Sequence, residues 1–151
     1  MKQKQWRGHA LRYGRYSENS AVYVVTGVTH NRVPLFESFT AARALVKEFY
    51  RQPDDAETWA YVVMPDHFHW MFQLGSVGLS ELVQRVKSCS ARHINQLNQS
   101  AGPVWQRGFY DQLVRDEDHI LKAARYIVAN PLRAGLVTRL GDYPLWDAKW
   151  L

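Results

Sequence analysis

The order of periodic segments along the chain predicts an α+β fold, in which helices cover an antiparallel β-sheet. Two observations support this prediction. Short β-branched runs alternate with amphipathic helical stretches, and only Pro65 and Asp66 separate the second and third strands, a spacing short enough for a hairpin. The chain has 151 residues, of which 46% are hydrophobic and 22% charged, as in ordinary globular domains. We therefore expect a single domain over residues 1–151.

The predicted strands are short runs rich in apolar and β-branched residues, each bounded by turn residues. They are expected over residues 21–29, 58–64, 67–74 and 104–114. The predicted helices run from Ser38 or Thr40 to about Arg51, from a cap at Ser80 through a long apolar stripe, and from Asp116 to a stop at Pro131. Apart from the last helix, this order is the ferredoxin-like β-α-β-β-α-β arrangement, with its two helices on one face of the sheet.

The chain carries an excess of cationic side chains, with a net charge of +5 at pH 7. This balance favours a polyanionic partner, and the forked guanidinium of arginine suits phosphate groups and stacking on bases. Residues 1–20 lack periodicity and are expected to form a basic N-terminal arm. The predicted contacts are Arg7, Arg12 and Arg15 in this arm, Arg85, Lys87 and Arg92 on the long helix, and Arg107 and Arg115 beside the fourth strand. The alternative for each cluster is an ordinary solvated surface.

The sequence limits where the protein can be located and which cysteine chemistry it can carry. No apolar run approaches the roughly 18 residues needed to span a bilayer, and no apolar segment follows the basic N-terminus. We therefore expect no membrane partner and a cytoplasmic location. The single Cys89 excludes an internal disulfide and a zinc site of the CxxC type.

Two histidines at alternate positions of the predicted third strand are the first candidate for chemistry. Side chains at i and i+2 of a strand point to the same face, so the imidazoles of His67 and His69 converge while Trp70 points to the other face. Two imidazoles in this geometry make half of a metal site. The alternative is a pair of exposed histidines on a solvated sheet face.

The last predicted helix supplies a candidate nucleophile. At about 100° per residue, Tyr126 lies about 160° from the centre of the apolar stripe, so core packing does not explain it. Asn130, one turn later, lies near the same face at the end of the helix. The alternatives are a surface aromatic and a helix-terminal amide. Tyr110, in the fourth strand, is the rival nucleophile.

Together these side chains make chemical sense as a phosphoryl-transfer site. Two imidazoles and an amide oxygen would form a partial metal shell with open positions for phosphate oxygens and water. A divalent cation beside the phosphate would help a phenol, whose reference pKa is about 10, to attack in line. The product would be a covalent phosphotyrosine, and no phosphate-binding loop for a nucleoside triphosphate is present in the sequence.

Four motifs carry a family resemblance over nearly the whole chain. They are His67-Phe68-His69 after Met64-Pro65-Asp66, the Trp105-Gln106-Arg107-Gly108 segment with Asp111, the Tyr126-Ile127-Val128-Ala129-Asn130-Pro131 helix end, and Ala134-Gly135-Leu136-Val137. With them the chain resembles the REP-associated tyrosine transposases, which are domesticated relatives of single-strand insertion-sequence transposases in the HUH endonuclease superfamily.

The resemblance implies an HUH endonuclease fold and a role for each candidate residue. It implies Tyr126 as the catalytic nucleophile, His67 and His69 as metal ligands, Asn130 as a third ligand, and Mg²⁺ or Mn²⁺ as the cofactor. The implied partner is single-stranded DNA with a hairpin, the REP palindrome, flanked by a guide tetranucleotide. Many relatives carry histidine where this chain has Gln112, and we assign no role there.

The resemblance also bears on assembly and leaves two other functions open. It favours a monomer, with a dimer as the alternative. A nucleic-acid-binding module on the same sheet would need no tyrosine beside the histidines. A metal-dependent phosphohydrolase would use water in place of Tyr126 and leave no protein attached to DNA.

Overall fold

The computed structural model describes residues 20–149, which form one antiparallel sheet with helices on both faces. The strands are β1 (Val22–Val28), β2 (Ala56–Met64), β3 (His67–Leu74), β4 (Tyr110–Val114) and β5 (Trp146–Ala148). The helices are α1 (Phe39–Tyr50), α2 (Leu79–Asn98), α3 (Glu117–Val128) and α4 (Asn130–Arg133). The strand order is β4-β1-β3-β2-β5, so β3 lies at the centre of the sheet. The predicted α+β fold with an antiparallel sheet is confirmed.

The hairpin between β2 and β3 forms as the sequence predicts. Met64 pairs directly with His67, and the turn consists of Pro65 and Asp66. Along β3, alternate residues point to opposite faces, so Phe68 and Trp70 enter the core beneath α1 and α2. The predicted position of Trp70, opposite the histidines, is confirmed.

Each face of the sheet has its own apolar core. On one face, Leu45 and Phe49 of α1 and Leu82 of α2 pack on the aromatic side chains of β3. On the other face, Ala124, Ile127 and Val128 of α3 pack on the sheet, which offers them the apolar side chains of Val22, Val24, Ala60, Val62, Met64, Met71, Val114 and Ala148. The last helix therefore covers the face to which the side chains at positions 67 and 69 point.

The fourth strand is shorter than predicted. Before it, Thr29 and Trp105 form an isolated bridge just past the end of β1, in which His30 N donates to Val104 O at 2.9 Å and Gln106 N donates to Val28 O at 2.7 Å. Gly108 then adopts φ 77°, a left-handed conformation that breaks a strand and suits glycine. Regular pairing therefore begins only at Tyr110.

Two helix boundaries also differ from the prediction. The long helix α2 begins at Leu79 with Gly78 at its N-cap, two residues before the predicted Ser80 cap. Pro131 does end α3, but it also occupies the first turn of α4, where a missing N–H breaks no helical hydrogen bond. The chain therefore continues in helical form to Arg133.

The predicted N-terminal arm, with Arg7, Arg12 and Arg15, lies outside the described residues except for Ser20. Within residues 20–149, no helix combines the length and the apolar character that a membrane span requires. The division of the chain into one domain and an arm remains a prediction.

Candidate active site

The two histidines of β3 lie side by side on the face that α3 covers. Their ring centroids are 5.1 Å apart and the ring planes cross at 79°. His67 pairs with Val28 of β1 and His69 pairs with Thr26, so both stand between neighbouring strands. The strand period predicted this convergence, and the structure brings the two rings together.

Each imidazole is held through the same ring nitrogen. His69 Nδ1 lies 2.7 Å from Thr26 Oγ1, and His67 Nδ1 lies 2.7 Å from Asp66 Oδ1. Asp66 is held in turn by Arg32, whose Nη1 is 3.3 Å from Oδ2. Imidazoles that bind metal are oriented in this way, with the second nitrogen hydrogen-bonded to a carboxylate or another acceptor. Both Nε2 atoms thereby remain for a ligand.

The protonation states suit the binding of a cation. Burial, and then the neighbouring charges of His67 and Arg133, lower the pKa of His69 to about 3, so His69 is neutral at physiological pH. Partial burial raises the pKa of Asp66, but its hydrogen bond to His67 and the nearby Arg32 hold that pKa below its usual value. A neutral imidazole is the form that coordinates metal. The donor set of this pair therefore fits a divalent cation.

Asn130, the predicted third ligand, lies where α3 passes into α4. Its Nδ2 donates to Ile127 O at 3.2 Å, so the amide group also closes the end of α3. That bond uses the amide nitrogen and leaves the side-chain oxygen, the atom that a metal would take. Within residues 20–149, no group of three His, Cys, Asp or Glu side chains is placed to hold a metal. The assignment of Asn130 as a third ligand therefore stays a prediction.

Tyr126 points away from the apolar core on which α3 packs, as its angular position in the helix predicted. Its side chain is 62% exposed, whereas Ile127 and Val128 are buried. Arg133 lies against the tyrosine ring, with Cζ 3.7 Å from the ring centroid. The phenol is thus accessible to a macromolecular substrate, and its ring is held from one side by a cation.

The rival tyrosine lies on the histidine face of the sheet. Tyr110 pairs with Thr26, and Thr26 pairs with His69 on its other side. Directly paired residues point to the same face, so Tyr110 is two strands away from His69, or about 10 Å. It is half-buried, in contrast to Tyr126. Either tyrosine is therefore a candidate on position alone, and the exposed one has the freer access.

Two of the predicted basic contacts have structural partners in the α1–α2 layer. Arg85 Nη1 lies 2.9 Å from Asp55 Oδ2, which ties α2 to the start of β2. Lys87 Nζ donates to Gln106 O at 2.9 Å and to Gly108 O at 2.5 Å, which fixes the loop before β4. Both side chains lie on the opposite face of the sheet from the histidines, and their role in DNA contact stays a prediction.

The remaining predicted contacts lie on the surface of the described chain. Arg92 Nη2 lies 3.2 Å from Cys89 Sγ on the surface of α2, and Arg115 follows β4. Arg107 lines two clefts. One, of about 490 Å³, separates α2 from the loop before β4. The other, of about 40 Å³, is bordered by Thr26 and Tyr110. Arg107 is therefore the predicted contact that extends towards the histidine face.

Three residues near the site had no role in the sequence-based prediction. Asp66 stands inside the histidine motif, and its position next to His67 was a usable signal. Thr26 faces His69 only because of the register of β1 on β3, which no local pattern reveals. Arg133 follows Tyr126 by seven residues, close to two helical turns of about 3.6 residues each, and the predicted stop at Pro131 concealed that relation.

Comparison with known proteins finds relatives among the transposases. Residues 18–130 match the family model described as "Transposase IS200 like". A Haemophilus influenzae protein described as a REP-associated tyrosine transposase is 29% identical over 99 residues, which are 58% of this chain and 56% of that protein. An Escherichia coli K12 REP-associated tyrosine transposase is 26% identical over 103 residues, 67% of this chain and 58% of that protein. The match thus spans a little over half the length of these curated relatives.

Solved structures show the same fold. A REP-associated tyrosine transposase bound to a REP hairpin superimposes with a TM-score of 0.71 at 23% identity, covering 87% of this chain and 79% of that one. A Deinococcus radiodurans protein described as a transposase gives a TM-score of 0.52 at 18% identity, covering 78% of this chain and 95% of that one. At these identities the likeness concerns the fold.

Proposed function

The chain belongs to the IS200-like transposase family, and on that premise we propose that it cuts and rejoins single-stranded DNA through a covalent 5′-phosphotyrosine on Tyr126. The observation that carries the proposal is the pair of histidines whose Nδ1 atoms are held by Thr26 and Asp66. This pair lies on the face that the tyrosine-bearing helix covers. A surface pair with no chemical task would not need two fixed rings.

The proposed reaction is a phosphoryl transfer without a nucleoside triphosphate. The Tyr126 oxygen forms a bond to the phosphorus of the scissile phosphate while the bond from phosphorus to the 3′-oxygen breaks. The phenol proton passes to water, and the 3′-oxygen leaves as a hydroxyl after taking a proton from water. The 5′ end stays attached to the protein, and a 3′-hydroxyl of the same or another strand reverses the step.

The metal-binding residues in this proposal are His67, His69 and Asn130, with Mg²⁺ or Mn²⁺ as the cation. When bound, the cation supplies charge stabilisation beside the scissile phosphate. Asp66 carries an ionised carboxylate, which only accepts, so it keeps Nδ1 of His67 protonated and Nε2 unprotonated, while Thr26 Oγ1 holds the His69 ring at Nδ1. Asn130 offers its side-chain oxygen while its nitrogen holds Ile127 O.

The proposed substrate is single-stranded DNA that carries a hairpin of the REP type and a short guide sequence. Two relatives are described as REP-associated tyrosine transposases, and a protein with the same fold is described as bound to a REP hairpin. The surface residues Arg92, Arg107 and Arg115 and the basic arm are the proposed phosphate contacts. We propose that the protein works as a monomer in the bacterial cytoplasm.

The deciding experiment is a denaturing gel of the protein with labelled hairpin-bearing single strands and Mn²⁺. We expect a protein–DNA adduct in wild type and in Tyr110→Phe, and none in Tyr126→Phe or in the presence of chelator. Tyr126→Phe removes one exposed oxygen and little packing, so DNA binding should stay intact.

Each other outcome would change the proposed nucleophile or the proposed function. An adduct that persists in Tyr126→Phe and vanishes in Tyr110→Phe would move the nucleophile to β4. Cleavage without any adduct would indicate a phosphohydrolase that uses water. Binding without cleavage in wild type would indicate a nucleic-acid-binding module.

A further inference from the structure

Arg133 ends the short helix that follows the candidate nucleophile. Its backbone N–H donates to Ala129 O at 3.0 Å, and the next residue, Ala134, donates to Asn130 O at 2.9 Å. These bonds keep α4 helical past Pro131. Arg133 therefore stays near the face of Tyr126, two turns earlier, and its position is set by the backbone.

The guanidinium of Arg133 stacks on Tyr126 and keeps its hydrogen-bond donors. Its Cζ is 3.7 Å from the ring centroid, so one planar face is used for the stack. A guanidinium carries its N–H groups in its own plane, and stacking leaves that edge available for a bidentate anion. Among residues 20–149, no carboxylate pairs with Arg133, whereas Arg85 pairs with Asp55 and Arg139 pairs with Asp142.

Arg133 also belongs to the layer that covers the histidine face of the sheet. Its helix α4 follows directly on α3, which packs on this face, and α4 itself contacts β2. A guanidinium beside a site for a divalent cation is repelled by that cation unless an anion lies between them. The arrangement therefore suits an anion that contacts both groups, and a phosphate next to Tyr126 has this chemistry.

We infer that Arg133 is a catalytic residue that binds the non-bridging oxygens of the scissile phosphate and holds them beside the Tyr126 oxygen. The inference rests on the proposed function and adds a substrate contact to it. Arg133 neutralises the charge that develops on these oxygens as the phenol attacks, and its stack on the ring keeps the nucleophile and the phosphate aligned.

The first test measures the single-turnover rate of adduct formation. Arg133→Gln should lower this rate about 100-fold, the usual effect of removing one donor from a developing oxyanion. Arg133→Lys should recover part of the rate, because it restores the charge without the planar fork. The matched control is Arg139→Gln, an exposed arginine paired with Asp142, which should keep the wild-type rate. A wild-type rate in Arg133→Gln would overturn the inference.

The second test separates substrate contact from a structural role. A methylphosphonate at the scissile position removes the negative charge of a non-bridging oxygen, so the difference in rate between wild type and Arg133→Gln should disappear on this substrate. A residue that only braces the tyrosine would reduce the rate by the same factor on both substrates, and that result would overturn the inference.

The Tyr126→Phe variant shows which of the two hypotheses fails, the proposed function or the role of Arg133 within it. An adduct in Tyr126→Phe would refute the proposed function, and the role of Arg133 with it. No adduct in Tyr126→Phe, together with a wild-type rate in Arg133→Gln, would refute the role of Arg133 alone.

Discussion

Thr26→Val tests whether the hydrogen bond between Thr26 and His69 orients the imidazole for metal binding. The substitution replaces a buried hydroxyl by a methyl group of similar shape, so it removes the hydrogen-bond partner 2.7 Å from His69 Nδ1. Nδ1 then has no hydrogen-bond partner, and the His69 ring loses the contact that orients its Nε2 atom towards a metal. Loss of such a supporting bond lowers metal affinity by about 10- to 100-fold. This factor corresponds to about 1.4 to 2.7 kcal/mol.

The assay is calorimetric titration with Mn²⁺, combined with thermal unfolding of the same samples. Thr26→Ser keeps the hydroxyl and should keep the affinity. The matched control is Thr58→Val on the opposite face of the sheet. There the hydroxyl accepts from Trp70 Nε1 at 3.0 Å and donates to Phe49 O at 2.6 Å. Thr58→Val should therefore lose stability, by about 1–3 kcal/mol, and keep the Mn²⁺ affinity.

Two results would refute this reasoning. Equal Mn²⁺ affinity in Thr26→Val and wild type would mean that the histidines bind no metal or need no support from β1. An equal loss of affinity in Thr58→Val would mean that the effect is a general consequence of destabilisation.

Three further predictions follow from the structure and the sequence. Gly27→Ala should destabilise the fold by about 1–3 kcal/mol, because the added Cβ would clash with the ring of Phe68, whereas Gly141→Ala, in open space, should leave the melting temperature unchanged. Asn130→Asp should retain Mn²⁺ binding and lose stability, since it removes the N–H bond to Ile127 O but keeps an oxygen donor. Asn130→Leu should lose both Mn²⁺ affinity and stability. Equal Mn²⁺ affinity in Asn130→Leu and wild type would remove Asn130 from the site. Deleting residues 1–17 should lower the slope of log K against log salt for hairpin binding by about 0.7 to 0.9 for each phosphate that the arm neutralises, and an unchanged slope would exclude the arm from binding.

The strand alternation in the sequence was enough to bring His67 and His69 together and to place Trp70 on the other face. A period of two is local, and it holds wherever the strand sits in the sheet. The partners of these rings were not all predictable. Asp66 is a sequence neighbour of His67, but Thr26 meets His69 across 43 positions of chain. That contact depends on the register between β1 and β3, which the whole sheet determines.

The end of the last helix shows where a local rule failed. Proline lacks an N–H and disfavours a helix interior, so a stop at Pro131 was the natural expectation. In the structure a new helix begins there, because the first turn of a helix needs no N–H from its residues. The consequence is that Arg133 stacks on Tyr126, a contact that the predicted stop did not anticipate.

The basic residues of α2 show that the sequence alone does not tell which charged side chains are free to contact a ligand. Their number and spacing in the sequence indicated a surface for a polyanion. Tertiary contacts bind Arg85 to Asp55 and Lys87 to two carbonyl groups of the loop before β4. Whether a cation meets solvent or a neighbouring element depends on packing between segments distant in the chain.

The amino-acid sequence alone determined the hairpin, the facing histidines and the outward position of Tyr126, because each of these follows from a periodicity or a turn within one short segment. It also determined the α+β class, which follows from the order of these local elements along the chain. Only the tertiary structure decided that α3 covers the histidine face, that Thr26 holds His69 and that Arg133 stacks on Tyr126. These relations join separate segments, and they are selected by burial of the two apolar cores and by strand register.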